Sequence, residues 1–122
     1  MGRLTPMTSV LFVSHDGDLR AVASRVLDRA GARVRAVEHG GHALLACVER
    51  GGYDVLVIED DLPEGPGGRI AARLRRHCPD LHVVRMCDAG RPRTDEGTTV
   101  VRPFTADDLI EAVYTRRPTS RR

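Results

Sequence analysis

The sequence predicts an α/β domain built on a doubly wound parallel sheet of five strands, with helices on both faces. Short apolar runs rich in β-branched residues alternate along the chain with segments whose apolar residues fall at helical spacing. The most apolar of these runs, Val55-Leu56-Val57-Ile58, has no polar residue, as expected of a central strand covered on both sides. A length of 122 residues suits one domain of this kind, with a core large enough to need no disulfide or metal.

The elements follow in order. Ser9-Val10-Leu11-Phe12-Val13 reads as a buried first strand. Leu19, Val22, Ala23, Val26, Leu27 and Ala30 repeat at helical spacing, with Asp16 or Gly17 as the cap and Gly31 as the stop. Arg33 to Val37 alternates polar and apolar, as a strand near a sheet edge does. Ala43, Leu44, Cys47 and Val48 make a second helix closed by Gly51-Gly52, and the strand Val55–Ile58 follows.

After turn residues Pro63 to Gly68, a third helix carries Ile70, Ala71 and Leu74 and ends near Pro79. Leu81 to Met86 is a fourth strand. Residues 88–97, DAGRPRTDEG, read as loop. Thr98 to Val101 is a short fifth strand, and Thr105-Ala106-Asp107-Asp108 caps a last helix whose Leu109, Ile110 and Val113 face inward. Residues 1–8 are expected to be an N-terminal extension, 9–116 the domain, and 117–122 a disordered tail or the start of a linker.

Composition excludes several classes. No apolar run approaches the ~20 residues that cross a bilayer, and MGRLTPMTSV lacks the apolar stretch of a secretory signal; a cytoplasmic protein is the expectation. The net charge of +2 gives no argument for nucleic acid. The basic residues gather at Arg73, Arg75 and Arg76 and at Arg116, Arg117, Arg121 and Arg122, which a solvated helix face and a polar tail explain. Cys47, Cys78 and Cys87 show no CxxC spacing, so reduced thiols are expected rather than a disulfide framework or zinc knuckle.

In a doubly wound sheet, ligands bind beyond the carboxyl ends of the strands, at the switch point in strand order. That rule selects Ser14, His15 and Asp16 after the first strand, Glu59 to Asp61 after the third, Cys87 and Asp88 after the fourth, and Arg102 after the fifth.

Three stretches at those positions, VLFVSHDGDLR, YDVLVIEDDLPEGPGG and VVRPF with its capped helix, resemble the response-regulator receiver family of two-component signalling. The resemblance runs from Val10 to about Arg116. It implies a flavodoxin-like sheet in the strand order 2-1-3-4-5 and a cis peptide before Pro103. It also implies a Mg²⁺-dependent site in which two acids follow the first strand and an aspartate ends the third. That aspartate takes a phosphoryl group, a lysine after the fifth strand pairs with its oxygens, and a hydroxyl after the fourth reports the change.

This sequence departs at nearly every one of those positions. Ser14 and His15 stand in place of the acidic pair, which removes most of the charge that holds Mg²⁺. Glu59 stands at the phosphoacceptor, Arg102 replaces the lysine, Cys87 the hydroxyl, and Thr99 an aromatic. Cys87 to Arg102 is short by something like two turns of helix, so the fourth helix of the family is expected to be short or absent. No cofactor is expected, with Mg²⁺ bound weakly or not at all.

Several readings of these residues stand side by side. A Glu59–Arg102 ion pair, with arginine gripping the carboxylate bidentately, either imitates the phosphorylated state or neutralises two charges in a relic pocket. Asp60 or Asp61 can be considered as substitute phosphoacceptors, although alternation at a strand end turns Asp60 away. His15, Asp16 and Glu59 include zinc-type donors but lack a fourth, while His42, His77 and His82 lie on other elements. Cys87 beside a cation would gain thiolate character, against a buried structural thiol. Gly65 to Gly68 lack a P-loop pattern.

The reading that follows is a non-enzymatic, atypical receiver acting in signal transduction or transcriptional regulation through protein–protein contact, without standard Asp phosphorylation. The pocket residues are Ser14, His15, Asp16, Glu59, Asp61, Cys87 and Arg102, with no metal. The expected partner is a protein, a histidine kinase or an effector domain, with a homodimer open, no membrane, and nucleic acid only through a further C-terminal domain. The competing reading is a degenerate receiver that is still phosphorylated with Mg²⁺.

Overall fold

The computed structural model describes residues 8–50, 52–89 and 98–114. The N-terminal extension, the tail and most of the expected loop fall outside the described residues, as does the segment 90–97, on which the expectation of a short or absent fourth helix rests.

The elements are β1 (Ser9–Val13), α1 (Gly17–Arg29), β2 (Arg33–Val37), α2 (Gly40–Arg50), β3 (Val55–Glu59), β4 (Asp61–Leu62), β5 (Gly65–Pro66), α3 (Gly67–Arg75), β6 (His82–Asp88), β7 (Thr98–Arg102) and α4 (Ala106–Tyr114). Five strands form one parallel sheet in the order β2-β1-β3-β6-β7. Numbering only the strands of that sheet gives 2-1-3-4-5, the predicted order, with β2 at an edge.

Alternation along the strands divides the core in two. Leu11, Val13, Leu56, Ile58 and Val83 pack under α2 and α3 with Ala46, Cys47, Ala71 and Leu74. Val10, Phe12, Val55, Val57, Val84 and Met86 pack under α1 and α4 with Ala23, Leu27, Leu109 and Val113. Full burial of each larger apolar side chain contributes about 1.5–3 kcal/mol, so β1 and β3, buried at every position, anchor the residues that follow them.

The helix ends follow from local chemistry. The Asp16 side chain accepts from the amides of Asp18 and Leu19 at 3.0 and 3.2 Å and so caps α1, and Gly31 with φ of +98° turns the chain out of it. Thr105 and Asp108 form a reciprocal capping box on α4, with contacts of 3.0 and 2.9 Å. Val22 and Val48, placed by spacing on the helices, are more than half exposed. Smaller neighbours on the same helices, Ala23 and Cys47, meet the sheet instead.

Several boundaries differ from the sequence reading. Residues 61–66 fold back as a small antiparallel hairpin before α3 begins at Gly67, so Gly67 and Gly68 are helical rather than turn residues. The third helix stops at Arg75, with Arg76 as its C-cap, short of Pro79. Strand β6 runs through Asp88 because β7 continues to pair with it as far as Asp88–Arg102, which takes Asp88 out of the loop.

Candidate functional site at the strand ends

The carboxyl ends of β1, β3 and β7 bring Ser14, His15, Glu59 and Arg102 around one buried carboxylate. Glu59 is 2% exposed and Ser14 fully buried. The Ser14 hydroxyl donates to Glu59 Oε2. The backbone N–H of His15 donates to the same oxygen at 3.1 Å, and its Nδ1 lies 3.1 Å from it. Arg102 Nη1 reaches the other oxygen, Oε1, at 3.4 Å. A charge this deep costs several kcal/mol unless it is paired and hydrogen-bonded; here both oxygens have partners.

The pair is not the bidentate fork that the residue types allow. Arg102 divides its guanidinium, giving one nitrogen to Glu59 and its Nε to Asp88 Oδ1 at 3.0 Å. Burial works against the charge on Arg102, but the hydrogen bond it donates to Asp88 and the fields of Glu59 and Asp88 together hold its pKa above the ordinary value. The Arg102–Pro103 peptide is cis, as the resemblance implied.

Backbone contacts fix Ser14 from behind. Its N–H donates to Val37 O at 3.1 Å, its carbonyl accepts from Arg20 Nη1 at 2.8 Å, and its Oγ accepts from the Asp16 N–H at 3.1 Å. Asp16 is therefore near the site through its backbone, while its carboxylate caps α1. Gly67 closes the other side: a Cβ there would lie 2.1 Å from the carbonyl oxygen of Glu59. Only glycine lets α3 begin so close to the end of β3.

Asp60, Asp61 and Cys87 take other positions around the strand ends. Asp60 pairs with Arg85, whose Nε donates to Oδ1 at 2.9 Å, so it is directed away as alternation required. Asp61 is exposed on the hairpin. Cys87 is buried at the end of β6, and its thiol takes no part in the contacts around Glu59; alternation sets it with Val83 and Arg85 on the α2/α3 side. His42 stacks on His39 with ring centroids 3.9 Å apart, and His82 Nε2 lies 2.9 Å from Ala112 O.

Sequence reasoning passed over the Arg85–Asp60 pair and put no weight on Asp88 as the second partner of Arg102. The signal for Asp88 was its place one residue beyond the apolar part of β6, level with Arg102 on β7.

The Mg²⁺ site implied by the resemblance needs several hard oxygen ligands. Glu59 Oε2 already accepts from the Ser14 hydroxyl and the His15 N–H and lies against the His15 ring, Asp16 caps a helix and Asp88 holds Arg102. A guanidinium and an imidazole occupy the approach to the carboxylate, so these residues do not fit the ion. Among the described residues no three His, Cys, Asp or Glu side chains are grouped to hold a metal.

The parallel sheet in this order, with two helices on each face and the site at the strand ends, is the receiver fold of two-component response regulators. A response regulator receiver protein from Sinorhizobium medicae superposes with a TM-score of 0.77 at 22% identity, over 88% of this chain and 91% of that one. The response regulator TrrA of Thermotoga maritima, in its complex with Mg²⁺–BeF, gives 0.74 at 24% identity, over 86% and 95%. The transcriptional regulatory protein TcrA of Mycobacterium tuberculosis is 30% identical over 92% of this chain and 48% of its own length. The chain thus spans about half of the curated relative it matches. No family model matches the sequence. No described helix is long and apolar enough to cross a membrane.

Proposed function

We propose that this chain is an atypical receiver module that acts in signal transduction through protein–protein contact, in the cytoplasm, without standard Asp phosphorylation and without enzymatic activity of its own. The observation that carries the reading is the buried Glu59 carboxylate, whose oxygens are taken by Ser14, His15 and Arg102. In a phosphoacceptor, that oxygen must be free to attack and a divalent ion must neutralise the incoming charge. Here the chain's own side chains fill both roles' space.

The partner is a histidine kinase or an effector domain. The likeness to a transcriptional regulator of about twice the length supports a role in transcriptional control, with DNA contacted by a separate domain. The test is incubation with acetyl phosphate and Mg²⁺ followed by intact-mass and peptide mapping. An unmodified chain is the expected result; a phosphoryl adduct on Asp61, Asp16 or Glu59 would replace this reading with that of a degenerate but working receiver.

A further inference from the structure

The three cysteines are not equivalent. Cys47, on α2, and Cys78, just beyond α3, are 31 positions apart in sequence, yet their sulfurs lie 2.9 Å apart in the core between the two helices and the sheet. Both are free thiols. Sulfurs sharing a zinc ion with bonds of about 2.3 Å stand further apart than this, whereas a disulfide of about 2.05 Å is a short closing movement away. The geometry points to one chemistry rather than the other.

Access is unequal as well. Cys47 is 2% and Cys78 8% exposed, and Cys78 lines an open cavity with Gly52, Tyr53, His77, Pro79 and Asp80. Gly52, at φ of +126°, runs over this thiol; a Cβ there would sit 3.3 Å from Cys78 Sγ. A small oxidant entering the cavity therefore meets Cys78 first. Burial and the neighbouring Cys78 push the Cys47 thiol up to about 12, so Cys47 is the poorer first nucleophile.

We propose that Cys47 and Cys78 form a reversible disulfide under hydroperoxide, an oxidative modification that clamps α2 to the turn after α3. Cys78, as thiolate, attacks the O–O bond of the peroxide; the bond breaks, the sulfur becomes a sulfenic acid, and the departing oxygen takes up the proton that the thiol shed. Cys47 then attacks that sulfur, the S–O bond breaks, and water leaves with the Cys47 proton. Two electrons pass from the two sulfurs to the peroxide. The closed loop contains β3 with Glu59 and the hairpin, so the oxidation state of the pair sets how firmly the segment carrying the pocket is tied to α2. This inference stands apart from the phosphorylation reading and survives its failure.

The test treats the reduced full chain with hydrogen peroxide, alkylates it after denaturation, and maps the peptides by mass. The expected result is a Cys47–Cys78 crosslinked peptide lighter by about 2 Da for the two lost hydrogens, with Cys87 alkylated. The crosslink disappears on adding dithiothreitol and forms equally in Cys87→Ser. In Cys47→Ser, dimedone should trap Cys78 as sulfenic acid. Recovery of Cys47 and Cys78 as alkylated thiols, a bridge that uses Cys87, or Cys78 driven to sulfinic acid with Cys47 untouched would overturn it.

Discussion

Arg102 is held by two carboxylates, and the exposed one holds it closer: Nε is 3.0 Å from Asp88, while Nη1 is 3.4 Å from the buried Glu59. Asp88 as well as Glu59 therefore holds the arginine at the mouth of the pocket. Arg102 compensates the buried carboxylate without sealing it in a fork. Four groups share the work of keeping Glu59 buried, and their removal should cost unequal amounts.

Glu59→Ala takes the acceptor from the Ser14 hydroxyl and leaves Arg102 with Asp88 alone, but removes the buried charge itself. Arg102→Ala leaves the charge buried with one oxygen unpaired. Breaking a buried pair costs about 3–5 kcal/mol; the partial exposure of Arg102, 29%, reduces this to about 1–3 kcal/mol. Urea unfolding should rank Arg102→Ala as more destabilising than Asp88→Ala. In a double-mutant cycle, Glu59 and Arg102 should couple by about 1 kcal/mol.

Gly67→Ala should be far more damaging than Gly68→Ala. At Gly67 a Cβ meets a backbone carbonyl at 2.1 Å, whereas at Gly68 it meets only the end of the Arg85 side chain at 3.4 Å. Overpacking against backbone costs about 3 kcal/mol or more, and the end of β3 must shift to relieve it. Thermal unfolding of the two variants checks this, with Gly68→Ala expected within about 1 kcal/mol of the parent.

Asp16 serves the fold rather than an ion. Asp16→Ala should lose about 1 kcal/mol with the cap of α1, and Asp16→Asn, which still accepts from Asp18 and Leu19, should keep most of it. Chemical denaturation with and without millimolar Mg²⁺ should give the same stability for the parent and both variants, apart from the cap. A Mg²⁺ increment lost in Asp16→Asn would show that the carboxylate binds the ion.

Stability should fall on the alkaline side. Cys47 is raised from 9.0 to about 12 by burial and by Cys78, and burial also raises Tyr114, whose hydroxyl donates to Ala30 O at 3.2 Å. Raised acids hold their protons in the folded chain while the unfolded chain releases them. Their stabilisation is thus complete below pH 9 and is lost as the pH climbs from there toward 12. Under reducing conditions, Cys47→Ala should flatten that alkaline decline, and Tyr114→Phe should flatten it further; an unchanged slope in both would contradict this origin.

The strands were legible because β1 and β3 are continuous apolar runs, and the helix starts at Asp16 and Thr105 because capping chemistry is local. Position at the strand ends also found Ser14, Glu59 and Arg102. What escaped is what distance in sequence hides. The Cys47–Cys78 contact has no spacing signature, since it depends on how α2 and α3 settle on the same sheet face. Asp88 and Arg102 became partners through the register of β6 with β7, and a hairpin of two-residue strands such as β4–β5 is too short to show a period. Gly67 looked like one turn glycine among several until the approach of the Glu59 carbonyl set it apart.

The buried Glu59 carboxylate is already satisfied by groups of its own chain. An amide-resolved NMR titration of the chain with Mg²⁺, then with Mg²⁺ and beryllofluoride, tests it most directly. No saturable shifts are expected at residues 14–16, 59 and 102 up to millimolar ligand. Saturable shifts centred on those amides would contradict it and show that the site still takes a metal ion and a phosphoryl mimic.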